Sequence, residues 1–570
     1  MRSIRPWLAT AYVAASLLTG CATPATSPAD DHAAPATSYA VAMPDRYSAE
    51  VATRILETGG NAVDAAVASA FTLAVTYPEA GNIGGGGFML AWVDGEATFL
   101  DYREVAPAAA TRDMYLDATG DVVDGLSLTG HRAVGVPGTV AGLWEAHRRH
   151  GKLSWSTVVQ PAVELAERGF VVPPDLAQTA QQEQADRLAS TNFASHFSGL
   201  EVGATFRQPQ LAATLARVQA QALDGFYRGI TADFIVQEMQ RGGGLITHRD
   251  LEEYRPVWRK PLAADWRGKT VLSSPPPSSG GFALLQLLGM KDALGARFEG
   301  LPHNSAAYVH LVAEMEKRVF ADRAEYAGDP DFVEVPIAQL IDPAYVSRRA
   351  AQVDPTAISR IEAVRPGLAE SRHTTHFSIV DRWGNAVSNT FTLNTDFGSG
   401  VVVEGAGFLL NNEMDDFSAR PGTPNFYGVV GADANAIEPR KRMLSSMAPT
   451  IVLDRDRRVE LVVGTMGGST IITSVFQTIV NVYDFGMSPQ QAVDAARFHH
   501  QLLPPARITY DPALPAPTLV GLKRLGYEAA PHPWPLGDVQ MVVRKGAAWS
   551  AASDRRGRGA SRVFEAPPAR

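Results

Sequence analysis

The sequence predicts a mixed α+β fold, and three stretches carry this prediction. Residues 371–394 alternate apolar and polar side chains on both sides of the turn residues 381–385, which is typical of a β-hairpin. The Ala-rich residues 62–75 follow Asn61, a favourable helix N-cap, and predict a helix. A long amphipathic helix is predicted after a second cap residue, Asn304. Its apolar face consists of Tyr308, Leu311, Val312, Met315 and Val319.

The length and composition of the chain fit a folded globular protein. Its 570 residues are 45% hydrophobic and 19% charged, an ordinary balance for a chain that builds a large core. The net charge is −9 and there is no basic block, which argues against a nucleic-acid partner. No run of 18 apolar residues follows the N-terminal region, so we expect no internal membrane span.

The first 21 residues have the pattern of a lipoprotein signal peptide. Arg2 and Arg5 precede a short apolar region, residues 9–18, and residues 18–21 (L-T-G-C) are similar to a bacterial lipobox. Cys21 is the only cysteine in the chain, so it cannot form an internal disulfide. We therefore expect lipidation at Cys21, with a simple secretory signal as the alternative.

Residues 22–38 are rich in Ala, Thr, Pro and Ser and predict a flexible tether. Ala22 stands where an aspartate would favour retention in the inner membrane. We therefore expect a periplasmic protein of the cell envelope that touches a membrane only through its lipid anchor, with the outer membrane as the expected site.

Several further elements are predicted before the hairpin. The glycine-rich residues 81–87 lead into a strand at 88–93, and they lack the G-K-[ST] ending of a phosphate loop, so we expect close backbone packing there. Arg103 ends another predicted strand, residues 98–103; taken alone, such an arginine is more often a surface or ion-pair residue than a ligand contact. Helices are predicted up to His150, from Pro161 to Gly169, over 178–188, 211–223 and 231–240, after the capping residue Thr247, and from Phe282 after the rigid loop 275–281.

The polar end of the long helix and the segments after the hairpin complete the prediction. Asp322, Arg323 and Glu325 are expected on a solvated face. Residues 409–417 end a strand in a cluster of amides and carboxylates, and residues 418–442 form a long loop of the kind that is usually functional or disordered. The remaining predicted elements are strands at 450–453 and 460–463, a turn at 464–469 and a helix at 470–483.

Thr374 is the residue at which a polar loop becomes the first strand of the hairpin. If the bond between His373 and Thr374 were cut, Thr374 would carry both a hydroxyl and a free α-amine, and a threonine would then bring its own general base. An α-amine has an ordinary pKa of about 8, so part of it is neutral near pH 7. The hairpin alone favours a threonine-rich edge strand, because threonine is common in strands.

Gly467 and Gly468 lie at a predicted strand-to-helix turn. Successive backbone N–H groups beside the positive end of a helix suit a developing oxyanion. An ordinary tight turn is the alternative.

Other catalytic motifs are missing from the sequence. There is no G-x-S-x-G elbow, no H-E-x-x-H and no P-loop. His373 and His376 are three apart on a strand and therefore point to opposite faces, so they cannot share a metal. His499 and His500 have no evident further ligands and are interpreted as structural. We expect no metal and no cofactor.

Nine short motifs are distributed along the chain. Those in the first half are G-G-N-A-V-D-A-A-V-A at 59–68, D-Y-R-E at 101–104, P-P-P-S-S-G-G at 275–281 and F-A-D-R-A-E-Y at 320–326. Those in the second half are T-T-H-F-S at 374–378, T-L-N-T at 392–395, N-N-E-M-D-D-F-S at 411–418, L-S-S-M at 444–447 and G-G-S at 467–469. Taken together, these motifs resemble the γ-glutamyltranspeptidase (glutathione hydrolase) family of N-terminal nucleophile hydrolases, and the resemblance covers nearly all of residues 40–562.

The resemblance implies a four-layer αββα sandwich that two subunits from one precursor form together. Cleavage before Thr374 would give a large subunit, residues 39–373, and a small catalytic subunit, residues 374–570. The implied activity is that of a γ-glutamyltransferase and glutathione hydrolase. Glutathione and other γ-glutamyl compounds would be the donors, and water, amino acids or peptides the acceptors.

The resemblance also implies a role for each site residue. Thr374 would be the nucleophile of self-cleavage and of the substrate reaction, Thr392 would hydrogen-bond to it, and Gly467 and Gly468 would bind the oxyanion. The substrate α-carboxylate would bind Arg103, Ser445 and Ser446. Its α-ammonium would bind Asn394, Glu413 and Asp416. Residues 418–442, which include Tyr427, would form a lid over the site. Thr392 and Asn394 are two apart and should share one face of their strand.

Two positions depart from the family pattern, and two other activities remain open. Met466 replaces the proline that usually precedes the paired glycines, and Thr470 stands where an arginine is common. One alternative is a related self-processing amidohydrolase, such as a cephalosporin or glutaryl acylase or an enzyme that acts on poly-γ-glutamate. The other is a non-catalytic envelope lipoprotein with the same scaffold.

Overall fold

The computed structural model describes residues 38–360, 364, 373–420 and 432–565, and for His373 and Thr374 it describes the backbone alone. The predicted signal peptide with Cys21, the tether up to residue 37, and Tyr427 lie outside the described residues. The predicted tether ends at Ser38, and the first strand already includes that residue.

The described strands are short segments of two to nine residues, most of them antiparallel to their neighbours. They are β1 (Ser38–Met43), β2 (Gly86–Val93), β3 (Glu96–Asp101), β4 (Phe170–Val171), β5 (Thr205–Phe206), β6 (Val257–Arg259), β7 (Leu262–Trp266), β8 (Lys269–Ser273), β9 (His373–Val380), β10 (Ala386–Asn394), β11 (Thr450–Leu453), β12 (Val459–Gly464), β13 (Phe498–His499), β14 (Arg507–Tyr510), β15 (Glu528–Pro531), β16 (Gln540–Lys545), β17 (Ala548–Ser553) and β18 (Ala560–Glu565).

The described helices range from single turns to one long helix near the middle of the chain. They are α1 (Arg46–Glu57), α2 (Ala62–Thr76), α3 (Thr139–His150), α4 (Trp155–Arg168), α5 (Pro174–Asp186), α6 (Phe193–Phe197), α7 (Pro209–Gln221), α8 (Asp224–Tyr227), α9 (Gly229–Gly242), α10 (His248–Glu253), α11 (Gly280–Ala293), α12 (Gly295–Phe298), α13 (Ala306–Tyr326), α14 (Ile337–Leu340), α15 (Pro343–Ala351), α16 (Thr470–Tyr483), α17 (Pro489–Asp494) and α18 (Ala516–Leu525). Short 3₁₀ turns occupy His131–Ala133, Leu188–Ser190, Glu413–Asp416 and Asp433–Asn435.

Two antiparallel sheets form the centre of the fold. The first has the strand order β18-β1-β9-β10-β2-β3-β6, and the second has the order β17-β16-β12-β11-β8-β7. The predicted hairpin is confirmed as β9 and β10, and it lies in the middle of the first sheet. β10 pairs with β2 and β9, and β9 pairs with β10 along its length and with β1 over residues 378–380. The hairpin is therefore internal to the sheet and the edge-strand alternative is wrong, although the start of β9 pairs with β10 alone.

Alternation along the strands of the first sheet shows how the layers stack. Val41 and Met43 of β1 pack in one core with α1, α2 and α4, while Ala40 and Ala42 pack in a second core with the other sheet. That second core continues through the other sheet to α11, α13 and α16. Side chains two residues apart on a strand share a face, so the order of layers is helix, sheet, sheet, helix. The expected αββα sandwich is confirmed.

The predicted helix termini are mostly confirmed. Asn61 caps α2 in a complete capping box with Asp64, and α16 has the predicted bounds. The prediction that Pro161 opens a helix is wrong, because α4 begins at Trp155 and Ser154 caps it by accepting a hydrogen bond from the Thr157 N–H. Pro161 is buried inside this helix, where it supplies no backbone N–H.

Two predictions about the long helix α13 are wrong. Ser305, not Asn304, is its N-cap, and Asn304 adopts a left-handed φ of 55° while its side chain binds the Ala496 carbonyl at 2.7 Å. Asp322 and Arg323 are buried rather than solvated, whereas Glu325 is exposed as expected. The reason is that neighbouring elements cover this end of α13 and supply polar partners, among them an arginine of α15 that forms an ion pair with Asp322.

The glycine-rich segment before β2 packs against other backbones, as predicted. A Cβ atom on Gly85 would lie 2.1 Å from the Thr392 carbonyl oxygen, and one on Gly84 would lie 2.1 Å from the Leu409 carbonyl oxygen. Only glycine permits this approach of backbone to backbone. Among the described residues, no helix has both the length and the apolarity needed to cross a bilayer.

Candidate active site

The backbone of Thr374 lies in β9 opposite an irregularity in β10. Asn394 pairs with the residue before Thr374 and Phe391 pairs with the residue after it, so Thr392 and Leu393 together lie opposite Thr374. Two residues opposite one define a β-bulge, which bends a strand and redirects its side chains. Bulges are frequent beside active sites. Nothing in the amino-acid pattern indicates this bulge.

The bulge is closed by a hydrogen bond between its own residues. The Asn394 N–H donates to the Thr392 hydroxyl oxygen at 2.7 Å, and Asn394 adopts a positive φ of 81°. The Asn394 amide group donates to the Asn412 carbonyl at 3.0 Å, which ties β10 to the segment that carries Glu413. Thr392 and Asn394 both line the same pocket, as predicted, although the bulge rather than regular alternation places them there.

Arg103 lies at the bottom of this pocket among carboxylates. Its Nη1 atom is 2.7 Å from Glu413 Oε2 and 3.8 Å from Glu104 Oε2, and its Nη2 atom binds Asp416 Oδ2. The side chains of Arg103 and Glu413 are 1% and 0% exposed. Its guanidinium also donates to the carbonyls of Met443 and Leu444. The surface role that was open for Arg103 is therefore wrong.

The carboxyl groups around Arg103 are harder to ionise than ordinary ones. Burial raises the pKa of Glu104 to about 8, although the charge of Arg103 opposes this shift. Burial also raises the pKa of Glu413 and Asp416, and the neighbouring carboxyl groups raise that of Glu413 further. Arg103 is thus surrounded by three buried acids, and Arg323 acts on Asp416 as a second positive charge. A bound cation would stabilise their ionised forms.

Ser445 and Ser446 are held by the loop after β8. The Ser445 carbonyl accepts hydrogen bonds from the N–H of Ser279 at 2.7 Å and from its hydroxyl at 2.8 Å. The hydroxyls of Ser279 and Ser446 are 3.2 Å apart, and Arg323 Nε donates to the Ser279 hydroxyl at 2.8 Å. Through these contacts, the P-P-P-S-S-G-G and F-A-D-R segments both support Ser445 and Ser446, which form one wall of the pocket (the Ser445–Ser446 wall).

Gly467 and Gly468 form the predicted turn between β12 and α16. Both have a positive φ, 125° and 58°, which favours glycine. The Thr470 hydroxyl donates to the Gly467 carbonyl at 2.6 Å and closes the turn. Thr470 therefore substitutes a local hydrogen bond for the arginine that is common there, whereas nothing in the structure explains Met466.

The structure brings most of the predicted site residues into one pocket. Its lining residues among the described ones are Arg103, Thr392, Asn394, Glu413, Asp416, Ser445, Ser446, Met447, Gly468 and Ile471. Gly467 precedes the lining residue Gly468 in the chain but does not itself line the pocket. Tyr427 lies outside the described residues. The pocket combines a cation, carboxylates, hydroxyls and a glycine turn at a helix start, which suits a zwitterionic acyl group.

Four residues at or behind this pocket were missing from the sequence prediction. Glu104, Arg323, Met447 and Ile471 were not assigned to the site, yet the first two contact or support it and the last two line it. Glu104, Arg323 and Met447 belong to the motifs D-Y-R-E, F-A-D-R-A-E-Y and L-S-S-M. The motifs therefore contained the information, and only their roles were unassigned.

His376 of the hairpin and the pair His499 and His500 are all buried. His376 is buried between the sheets and hydrogen-bonds to Thr390 Oγ1 at 2.8 Å and Ser378 Oγ at 3.1 Å. Burial lowers the pKa of His376 and His499 to about 3 and that of His500 to about 4. Among the described residues, no cluster of His, Cys, Asp or Glu has the arrangement of a metal site.

Comparisons with known proteins agree with this geometry. The γ-glutamyltranspeptidase family profile matches residues 48–564. The chain is 59% identical over 528 residues to the glutathione hydrolase proenzyme of Pseudomonas aeruginosa, an alignment that covers 92% of this chain and 94% of that protein.

Two solved structures are also similar. A γ-glutamyltranspeptidase from Pseudomonas nitroreducens complexed with L-DON shares 56% identity, with a TM-score of 0.56 over 57% of this chain and 97% of that chain. A cephalosporin acylase from Bacillus halodurans shares 26% identity, with a TM-score of 0.80 over 97% of this chain and 100% of that chain. The resemblance seen in the motifs is confirmed, and the chain belongs to the γ-glutamyltranspeptidase family.

Proposed function

We propose that this chain is a self-processing γ-glutamyltransferase and glutathione hydrolase. It would cleave the γ-glutamyl amide bond of glutathione and related compounds and pass the glutamyl group to water, an amino acid or a peptide. One observation carries the proposal: Arg103, Glu413 and Asp416 converge in a pocket that is also lined by Thr392 and Gly468. This is a site for an acyl donor with both an α-carboxylate and an α-ammonium.

Recognition of the donor follows from charge. The substrate α-carboxylate would bind Arg103 with the help of the hydroxyls of Ser445 and Ser446. The α-ammonium would bind Glu413 and Asp416, and its positive charge would favour the ionised forms of these buried acids. Fixing both groups of the zwitterion would hold the γ-carbonyl at the hairpin.

The reaction needs two acyl transfers at Thr374. Its α-amine would take the hydroxyl proton as the hydroxyl oxygen attacks the γ-carbonyl carbon, and the N–H groups of Gly467 and Gly468 would stabilise the oxyanion. The amide C–N bond then breaks, and the leaving nitrogen receives the proton. Water or an amine attacks the resulting γ-glutamyl-threonine ester and restores the free hydroxyl.

Self-cleavage between His373 and Thr374 would create that nucleophile and divide the chain into subunits 39–373 and 374–570. The test is a denaturing gel followed by N-terminal sequencing of the smaller fragment. We expect two fragments from the wild type, with the smaller one starting at Thr374, and one intact chain from Thr374→Ala. An uncut wild-type chain would support the non-catalytic alternative, and a different N-terminus would contradict the assignment of the nucleophile.

A related acylase is the second candidate, because the cephalosporin acylase of Bacillus halodurans has a similar fold over nearly the whole chain. The two activities separate on donors that differ only in the α-amine. We expect faster hydrolysis of γ-glutamyl-p-nitroanilide than of glutaryl-p-nitroanilide, since only the first offers an ammonium to Glu413 and Asp416. Preference for the glutaryl compound would identify an acylase.

We also propose that the protein is a periplasmic lipoprotein that is anchored to the outer membrane through a lipid on Cys21. The N-terminal sequence supports this proposal through Arg2, Arg5 and the lipobox-like residues 18–21. Labelling cells with a radioactive fatty acid, followed by membrane fractionation, tests it. Label should enter the wild type and not Cys21→Ala; an unlabelled wild type would favour simple secretion.

A further inference from the structure

Asp101 lies directly behind the pocket, at the end of β3, and is completely buried. Its Oδ1 atom accepts a hydrogen bond from the Arg103 N–H at 3.0 Å. Its Oδ2 atom accepts one from Arg259 Nε at 2.8 Å and lies 3.4 Å from Arg442 Nε. One carboxylate therefore holds the backbone of Arg103 and two arginine side chains.

Arg442 carries this link to the other wall of the pocket. Its backbone N–H donates to Asp329 Oδ2 at 2.8 Å, and its side chain donates to the Arg255 carbonyl at 2.8 Å. The residues that follow it, Met443 and Leu444, offer their carbonyls to the Arg103 guanidinium and lead directly into the Ser445–Ser446 wall.

These contacts form a closed ring. It runs from the Arg103 side chain to the 443–444 backbone, through Arg442 to Asp101, and back to the Arg103 N–H. With the proposed cleavage before Thr374, Asp101 and Arg103 belong to the large subunit and residues 442–446 to the small one. The ring therefore crosses the subunit boundary beside the site for the α-carboxylate.

We propose that Asp101 is a positioning residue for donor recognition, which sets the separation of Arg103 from the Ser445–Ser446 wall across the two subunits. This inference rests on the proposed function. It assigns to Asp101 no contact with the substrate, so its effect must pass through Arg103 and the 442–446 segment. It also explains why two arginines meet on a single buried carboxylate.

The test compares the processed wild type with Asp101→Asn, Arg442→Met, the double variant and a control. Hydrolysis of γ-glutamyl-p-nitroanilide is measured without an acceptor, together with thermal stability and subunit composition. The control is Asp331→Asn, because Asp331 binds the same Arg259 at 2.7 Å and lies 3.9 Å from Arg442 Nη1, but its side chain is 48% exposed. Asn at position 101 keeps an acceptor for the Arg103 N–H and removes the charge.

We expect Asp101→Asn to raise the KM for the donor about tenfold while kcat changes less than about threefold. The reason is that Asp101 positions Arg103 for binding of the donor and does not take part in the chemical step. Arg442→Met should do the same, and the double variant should be no worse than the more severe single variant, because both act through one link. Asp331→Asn should leave KM within about twofold of the wild-type value.

Four results would overturn the inference. They are an unchanged KM in Asp101→Asn, an equal loss in kcat, additive effects in the double variant, and an Asp331→Asn variant that matches Asp101→Asn. If the Asp101→Asn variant does not fold or process, Arg442→Met alone decides by the same KM criterion. A wild type that fails to hydrolyse the donor contradicts the proposed function, which keeps the two failures apart.

Discussion

Arg103 Nη1 lies 2.7 Å from Glu413 Oε2, and both side chains are shielded from solvent. Asp416 binds the other end of the same guanidinium. The two acids thus pair with Arg103, and in the proposed complex they would also bind the substrate ammonium. This double use leads to a prediction that separates their role from that of Arg103.

Glu413→Gln should lower kcat/KM only for donors that carry an α-ammonium. We expect kcat/KM for γ-glutamyl-p-nitroanilide to fall about 100-fold, equivalent to about 2.7 kcal/mol, through loss of a charge-assisted contact. Glutaryl-p-nitroanilide keeps the carboxylate and lacks the ammonium, so its kcat/KM should change less than about threefold. Parallel assays of the two anilides measure this difference.

Arg103→Met is the matched comparison, because it removes the partner of the carboxylate that both donors share. Both anilides should lose about 3–5 kcal/mol of transition-state stabilisation, as is usual when one partner of a buried ion pair is removed. If Glu413→Gln harms both anilides equally, Glu413 acts by holding Arg103 and not by binding the ammonium.

Most residues that line this pocket could be predicted from the sequence, because the matched motifs carry its polar groups. Arg103, Glu413 and Ser445 come from distant segments, and only the resemblance joined them before the fold was known. The bulge at Thr392 could not be predicted, since it depends on the register of β10 against β9. Polar residues such as Asp322 and Arg323 were expected in solvent because helical periodicity does not reveal which layer covers a helix end.

Thr470 is expected to support catalysis through the glycine turn. Its hydroxyl donates to the Gly467 carbonyl, so Thr470→Val should let the turn relax and move the N–H groups that, in the proposed mechanism, would bind the oxyanion. We expect kcat to fall about tenfold, or about 1.4 kcal/mol, with little change in donor KM. Thr470→Ser keeps the hydroxyl and should stay within about twofold of the wild type. Equal kcat values for the two variants would show that the hydrogen bond is not needed.

His376 should make the protein sensitive to acid. Its pKa is about 3 in the folded state because of burial, against about 6.5 when unfolded. Below pH 6.5 the unfolded chain binds a proton that the folded chain does not, so the stabilisation is complete above pH 6.5 and is lost as the pH falls towards 3. His376→Gln should remove about 1.4 kcal/mol per pH unit from the slope of unfolding free energy between pH 6 and pH 4.

Denaturant unfolding of the uncut Thr374→Ala chain, with and without His376→Gln, measures this slope on a single polypeptide. A His376→Gln slope equal to the parent slope would mean that His376 is not kept neutral by the fold.

Gly85 should tolerate no side chain, because its backbone touches the residue that lies opposite Thr374. A Cβ atom there would come within 2.1 Å of the Thr392 carbonyl oxygen and 2.7 Å of Asn82 Oδ1. Asn82 in turn donates to the same carbonyl at 2.8 Å, so neither neighbour can move without shifting the bulge. Gly85→Ala should therefore destabilise the chain by about 3 kcal/mol and slow self-cleavage.

Gly295→Ala is the control, since nothing lies within 4 Å of its Cβ position. Denaturant midpoints and the cleaved fraction on a gel measure both effects, and a Gly85→Ala chain that is as stable and as fully cut as the control would refute this account of the glycine-rich segment.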